Sequence, residues 1–548
     1  MQKLILSVCA IGLFVSIQSC KQNNTNDDDG LASFNKDSML AHIKMLASDS
    51  FQGRRPFSLG ETRTVDYLQN QFKQMGLEAG NGESYIQDVP LVEITPKADA
   101  VMKVQSAKGN FELKNLTDFV VSTQITDSLI SLNNEEVIFA GYGVVAPEYN
   151  WNDYANIDVK GKIVLVLVND PGFGVDTTIF KGKAMTYYGR WTYKYEEAAR
   201  QGAKACFIIH NTEAASYPFN VVQNSWGSSN LYLASKDPSV KRLALQGWVS
   251  ADAAKKLFAA AGKDTSLIVS ANKNTFKAVD LGEKFSLNVK VKSVFNTSHN
   301  IIGKITGSKR PDEYIIYTAH WDHFGIGKKD EKGDSIYNGA LDNASGTAGL
   351  LEMARAFKSL KEKPERTIIF LSVTAEEQGL LGSAYYAQHP IYPLAKTVAN
   401  INMDGINPGE KTNDITIIGE DQNDLEGYLI EAAKKQNRYV SPEAHPEAGY
   451  YYRSDHFCFA KVGVPALDCE SGIDVVGKGK DYGRKLDDDY TANRYHRPAD
   501  EYNPAWTFEG GIQDLQLLFM VGKKIANESS WPKWKDGSEF KAIREKTK

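Results

Sequence analysis

Tyr314-Ile-Ile-Tyr-Thr-Ala-His320-Trp-Asp322 is an apolar, β-rich run that stops on a histidine and an acid. Two later segments repeat the plan: Thr367-Ile-Ile-Phe-Leu-Ser-Val-Thr-Ala-Glu376-Glu377 and Val398-Ala-Asn-Ile-Asn-Met-Asp404. Continuous Ile/Leu/Val runs, rather than strict alternation, mark strands buried on both faces, which is the habit of parallel strands. Right-handed crossovers keep the carboxyl ends of such strands on one side of a sheet. Ligands gather just beyond those ends. The three segments therefore predict an α/β fold, a three-layer sandwich with a mixed, mainly parallel central sheet. Its rim carries a histidine and several carboxylates, a donor set suited to a metal used in hydrolysis.

Working outward, strand, loop and helix alternate from His299 onward. Ser345 is expected to cap a helix bearing Leu350, Leu351, Ala354 and Phe357. Further expected elements are a strand near Ile415, a helix Leu425 to Gln436, a strand Val464 to Cys469 and a last helix from Ile512 to Ala526. Upstream, residues 37–80 read as two helices around a Gly/Pro/Ser loop, with Val65, Leu68, Phe72 and Met75 at helical spacing. Tyr85 to Ile94 and Phe285 to Phe295 read as strands of one sheet despite their separation. Between them lies a stretch with strands of its own, Val137 to Val145, Lys162 to Val168 and Ala205 to His210. An inserted β-rich unit with a separate core accounts for it. The expected division is a leader over 1–20, a tether over 21–35, the first part of a catalytic domain over 36–105, an insertion over 106–280, and the main catalytic part over 281–530.

The chain has 548 residues, 42% hydrophobic and 24% charged, enough for more than one core. A formal charge of -5 leaves no basic face for nucleic acid. Lys3, the apolar run Leu4 to Ile17 and Gln18-Ser19-Cys20 form an export signal whose ending resembles a bacterial lipoprotein signal. That resemblance implies lipidation at Cys20, attachment to a membrane and a place in the cell envelope outside the cytoplasm. The three cysteines in the body of the chain, Cys206, Cys458 and Cys469, are too few for a disulfide framework or a tetrathiolate site and read as structural. No feature sets an oligomeric state.

Each chemistry-bearing residue also has an ordinary reading. His320 and Asp322 alternate at a strand end and face different ways. One ligand fits better than two, with Asp322 accepting the other imidazole N–H and orienting the ring. Asp342, in Gly339-Ala-Leu-Asp342-Asn-Ala-Ser-Gly346, has the local look of a helix cap. Its loop opens onto the same rim, where one carboxylate can meet two cations. Adjacent Glu376 and Glu377 point apart, so one can ligate while the other serves as general base. Asp404 before Gly405 would pass for a turn residue. His496 follows a charged loop from Lys478 to Asp489, beside Tyr495, which can donate to an oxyanion.

Together, His320-Trp-Asp322, Asp342-Asn-Ala-Ser-Gly346, Ala375-Glu-Glu377-Gln-Gly379-Leu-Leu-Gly-Ser383, Asn402-Met-Asp404 and Tyr495-His496 resemble the secreted bacterial aminopeptidase and glutamate carboxypeptidase family of co-catalytic zinc peptidases. The motifs come in the family's order, and with the opening Leu46-Ala-Ser-Asp-Ser-Phe-Gln-Gly53 they cover most of the chain. The insertion resembles a protease-associated domain in Gly141-Tyr-Gly143, Trp151-Asn-Asp-Tyr154 and Val159-Lys-Gly-Lys-Ile-Val-Leu165. The resemblance implies two Zn²⁺, one on His320 and Asp404, the other on Glu377 and His496, with Asp342 between them and the Asp342–Asn343 peptide cis. It implies Glu376 as general base, Tyr495 as oxyanion donor, and peptide substrates cut at the amino end. No ligand is missing, unlike the family's transferrin-receptor-type pseudoenzymes. A carboxypeptidase or dipeptidase of the same family, a single-zinc glutaminyl cyclase and a non-catalytic metal-binding module are the alternatives. The stretch Tyr452-Arg-Ser-Asp-His456 resembles one near the family's substrate pocket, with Arg453 within reach and His456 structural. His323 receives no role.

Overall fold

The computed structural model describes residues 29–547 apart from 236 and 238. The expected leader, most of the expected tether and the expected lipidation site at Cys20 lie outside those residues. The main sheet is built from β1 (Ile86–Ala98), β2 (Val279–Ile305), β3 (Arg310–His320), β4 (Arg366–Val373), β5 (Thr397–Asn402), β6 (Asp414–Ile418), β7 (Tyr439–Pro442) and β8 (Ala466–Ser471). Their order is β1-β2-β4-β3-β5-β8-β6-β7. β4, β3, β5 and β8 run parallel in the middle, while β2 and β6 join antiparallel on either side. The sheet is therefore mixed with a parallel centre, as the uninterrupted apolar runs predict.

Alternate residues of β3 reach opposite cores. Ile315, Tyr317 and Ala319 pack with helices α1 (Lys36–Leu46), α2 (Leu59–Gln74), α3 (Gly346–Lys358), α4 (Leu425–Lys435) and α6 (Glu509–Asn527). Ile316, with Ile369 and Leu371 of β4, packs on Tyr386, Phe459 and Trp534 on the other face. Each of these side chains is almost wholly buried, worth about 1.5–3 kcal/mol apiece. Two covered faces make the three layers.

The long strand β2 links the two units. Residues 289–301 pair with β1, and residues 279–290 pair with Leu129–Phe139 in the inserted unit. That unit holds parallel strands Leu129–Phe139, Ile163–Leu167, Ala205–Ile209 and Leu245–Val249, with helices Trp191–Arg200 and Ala251–Ala260. Val101–Gln105 pairs with Lys284–Ser286, and its Met102 and Val104 are buried.

Two local expectations change. Lys480–Asn493 is a helix, α5, rather than a charged loop. Only Gly483 of it is buried, so burial patterning did not announce it. Ser345 does not cap α3: its hydroxyl donates to the Leu341 carbonyl (2.6 Å) and accepts from Ile406 N–H. Cys206, Cys458 and Cys469 are all free thiols, in keeping with their structural reading. No helix among the described residues is long and apolar enough to cross a membrane.

Candidate metal centre

Register places the donors. His320 ends β3 opposite Val373 of β4, so Glu376 and Glu377 follow immediately beyond the neighbouring strand end. Thr318 lies opposite Asn402 of β5, and Asp404 follows two residues on. Asp342 comes from the loop between β3 and α3, and His496 from the segment after α5. Gly339 opens the Asp342 loop at φ +55°, where a Cβ would collide with the Asp342 carbonyl oxygen and the His323 ring.

These residues converge. His320 Nε2 stands 3.2 Å from Asp404 Oδ1 and 3.3 Å from Asp342 Oδ1. The other Asp342 oxygen, Oδ2, is 3.1 Å from His496 Nε2, which lies 3.2 Å from Glu377 Oε2. One carboxylate thus faces two imidazoles, each with a second acid beside it. Glu376 Oε2 is 3.9 Å from His320 Nε2, on the cleft side of the group. On the far side of His320, Nδ1 donates to the Asp322 carbonyl oxygen (3.2 Å) and lies 3.7 Å from its carboxylate. Asp322 Oδ1 in turn accepts the backbone N–H of Glu376 (3.0 Å), tying ring and acid together. Tyr495 stacks on His496 with ring centroids 3.7 Å apart and is 45% exposed to the cleft. The Asp342–Asn343 peptide is cis.

Charge explains why these groups need a cation. Asp322, Asp342, Glu376, Glu377 and Asp404 crowd one rim with two imidazoles facing them, and burial penalises each carboxylate. Burial and the neighbouring acids hold Glu376 and Glu377 well above the usual carboxylate range. Despite desolvation, hydrogen bonds from His320 and His496 hold Asp342 well below it. Against desolvation, Asp404 and Glu376 hold His320 well above its ordinary value, and Glu377 and Asp342 push His496 up to about 9. Sets drawn from these residues, such as His320, Asp342 and Asp404, bring one ligand atom each to within 4.8 Å of one another. Imidazole nitrogen and carboxylate oxygen in that mixture are donors that zinc accepts. The residues present fit the metal.

Several supporting residues carried no sequence signal strong enough to single them out. Arg54 is wholly buried and donates to the carbonyls of Trp321, Leu46, Asn338 and Gly339, clamping the loops that bear Asp322 and Asp342. Asp500 accepts the backbone N–H groups of Leu341 and Asp342 (3.0 Å each). Ser454 Oγ donates to Asp404 Oδ2 (2.7 Å) and is itself held by Asn402. His323 Nδ1 contacts Glu377 Oε1, leaving Oε2 toward His496. His456 is buried beneath the rim against Asp468 and touches none of the ligand set. Ser454 and His456 lie inside the quoted stretch Tyr452 to His456, His323 and Asp500 shortly after quoted motifs and Arg54 directly after Gly53, but only the fold brings their contacts together.

Comparisons with known proteins bear on this rim. Residues 300–520 match the family model described as Peptidase family M28. The chain is 38% identical over 128 residues to Aminopeptidase NAALADL1 of Mus musculus, covering 22% of this chain and 16% of that protein. It is 26% identical over 383 residues to Aminopeptidase YwaD of Bacillus subtilis (strain 168), covering 67% of each. The chain spans 16% to 18% of the length of the first curated relatives it matches. Among solved structures, an aminopeptidase from Aneurinibacillus sp. strain AM-1 aligns over 92% of this chain and 97% of that one, at 20% identity and a TM-score of 0.49.

Proposed function

We propose, from a chain whose residues 300–520 are a peptidase family M28 domain, that it is a zinc aminopeptidase removing residues from the amino end of peptides. One observation carries the reading: the two oxygens of Asp342 face His320 and His496 from opposite sides, each imidazole having its own second acid. A pair of zinc ions would be held by His320 and Asp404 on one side and Glu377 and His496 on the other, with Asp342 shared. When bound they supply Lewis acidity toward a carbonyl and lower the pKa of water.

The chain's own groups do the rest. Glu376 takes a proton from the attacking water and returns it to the departing amine, a task suited by a carboxyl whose pKa burial raises. Asp322 keeps the His320 ring oriented through Nδ1 and anchors the Glu376 backbone. Tyr495, packed on His496 and open to the cleft, donates to the oxyanion. The inserted unit, read as a protease-associated domain, walls the cleft opposite the rim. Export and lipid attachment at Cys20 belong to the same proposal and rest on the sequence Leu4 to Cys20. Cys20→Ser should move the protein from the membrane to the soluble fraction.

The test of the enzyme reading is metal titration of the chelated protein against free and N-acetylated aminoacyl substrates. Activity should return as zinc approaches two per chain and only on the free amines. Full activity at one zinc with pyroglutamate release would favour the cyclase instead.

A further inference from the structure

We propose that Glu539, in the segment that follows α6, is a positioning residue. It fastens the inserted unit to the main unit, which bears the rim, and so sets the width of the cleft that an extended peptide must enter. The kinetic half of this inference rests on the peptidase reading, and the structural half stands without it. Glu539 lies beyond residues 300–520, the stretch that matches the family.

One oxygen of Glu539 serves both units. Oε1 accepts the Tyr187 backbone N–H of the inserted unit (3.1 Å) and the Tyr452 phenol O–H of the main unit (2.9 Å). Oε2 lies 3.4 Å from Lys181 Nζ, again of the inserted unit, and the Glu539 side chain is only 4% exposed. Phe540 repeats the pattern with its ring, whose centroid is 6.5 Å from that of Tyr187 and 6.3 Å from those of Tyr451 and Phe457. The backbone on either side of these two residues is fixed to the main unit. Trp534 Nε1 donates to the Gly463 carbonyl (2.9 Å), and Lys535 N–H to the Gln422 carbonyl (3.0 Å). Arg544 donates to the carbonyls of Leu394 (2.9 Å) and Thr397 (2.8 Å). The segment is thus a strap anchored to one unit at both ends, with Glu539 and Phe540 reaching the other from its middle.

Both donors to Oε1 stand next to a wall of the cleft. Tyr187 comes shortly before the helix Trp191–Arg200, whose Trp191, Thr192, Tyr195 and Glu196 line the cleft. Tyr452 lines it from the other side and precedes Ser454, which donates to Asp404 Oδ2 (2.7 Å). Other ties across this junction are pairwise, such as Met185 N–H to the Pro446 carbonyl (3.0 Å) and the ion pair of Lys461 with Glu196. Two units joined by a ribbon move relative to each other unless their junction is fixed. Tyr187 and Tyr452 are both buried, so removing the carboxylate leaves two donors without an acceptor at once. Parting of the units relieves both by admitting water. The loss is therefore felt as a wider cleft and not as unfolding of either core.

The experiment uses Glu539→Ala, Glu539→Gln and Tyr452→Phe in the full chain. The first removes the shared acceptor, the second keeps an acceptor without the charge, and the third removes one of the two donors. Amide hydrogen exchange reads the junction without reference to activity. In Glu539→Ala, exchange over residues 181–190 should quicken roughly tenfold or more while residues 314–320 of β3 keep the wild-type rate. Glu539→Gln should recover most of the protection, and Tyr452→Phe should fall between. In kinetics, KM for a tetrapeptide should rise roughly tenfold in Glu539→Ala with kcat within about twofold of wild type. An aminoacyl p-nitroanilide, too short to lie between rim and wall, should be cut as before. Exchange that quickens as expected in a protein whose wild type cuts no peptide supports the strap and sinks the peptidase reading alone. Wild-type exchange in Glu539→Ala, quickening that spreads equally to β3, or an unchanged tetrapeptide KM in an active enzyme overturns the proposal.

Discussion

Arg54→Met tests whether the site is held from beneath. The methionine stem fills most of the volume but has no donor, so the carbonyls of Trp321, Leu46, Asn338 and Gly339, bonded at 2.6 to 2.9 Å, lose theirs. A hydrogen bond to a charged group contributes about 1.5–3 kcal/mol, and two of the four carbonyls regaining other donors would leave a gross loss of roughly 3–6 kcal/mol. Relief from burying a guanidinium works the other way: burial pulls Arg54 down to about 10, against Asp322, Asp500, Asp342 and Glu377. The balance resembles breaking a buried ion pair, about 3–5 kcal/mol, a large part of a domain's stability. Urea unfolding should show that loss. Zinc content should fall with it, because Trp321 and Gly339 belong to the segments carrying His320 and Asp342. Arg54→Lys keeps the charge with fewer well-placed donors and should fall between. An unfolding free energy for Arg54→Met within about 1 kcal/mol of wild type would refute the clamp.

Three further outcomes are expected. Glu376→Gln should keep the fold and the zinc content while lowering kcat by about 10²–10⁴-fold; near-normal turnover would mean another group moves the proton. Zinc binding to the chelated protein near neutral pH should release about one proton or more and weaken as pH falls, because His320 and His496 (about 9) must give up protons to ligate. Titration calorimetry in buffers of different ionisation enthalpy measures this, and buffer-independent heats would contradict it. Glu283 is wholly buried with neither oxygen partnered, and burial pushes it up to about 8 from about 4.5. A raised carboxyl means that the folded state binds the proton more tightly, so stability is lost as pH rises from about 4.5 to about 8 and is flat beyond. The loss is roughly 3–5 kcal/mol. Glu283→Gln should therefore stabilise the protein at pH 9 far more than at pH 4; an equal gain at both would show that no buried charge is involved.

The parts of this architecture that could be read from sequence were those whose physics is local. β3, β4 and β5 announce themselves because a strand buried on both faces has no polar alternation to hide it, and their ends carry the donors. The helices α4 and α6 show through their apolar spacing. Elements serving the cleft were harder. α5 has one buried residue, so its helical repeat of Tyr482, Leu486 and Tyr490 faces the cleft instead of a core. Arg54 lies far from Trp321 and Gly339 in sequence, and a lone arginine in a loop normally means solvent. Ser345 looked like a cap because caps are local, yet its hydroxyl serves the turn from Leu341 and the backbone of Ile406.

The same contrast explains how an insertion can sit inside the fold without disturbing the rim. The donors depend on two registers, His320 with Val373 and Thr318 with Asn402, and a one-residue slip in either would turn the following side chains away. Neither register involves the strands through which the insertion leaves and returns, since β1 and the middle of β2 pair with each other in a ribbon beyond β4. The ribbon can therefore carry a large unit at its far end while the rim keeps its geometry. It also swings that unit's helix Trp191–Arg200 back over the cleft. The rim's donors thus come from the most constrained strands and the opposite wall of the cleft from the least constrained ones.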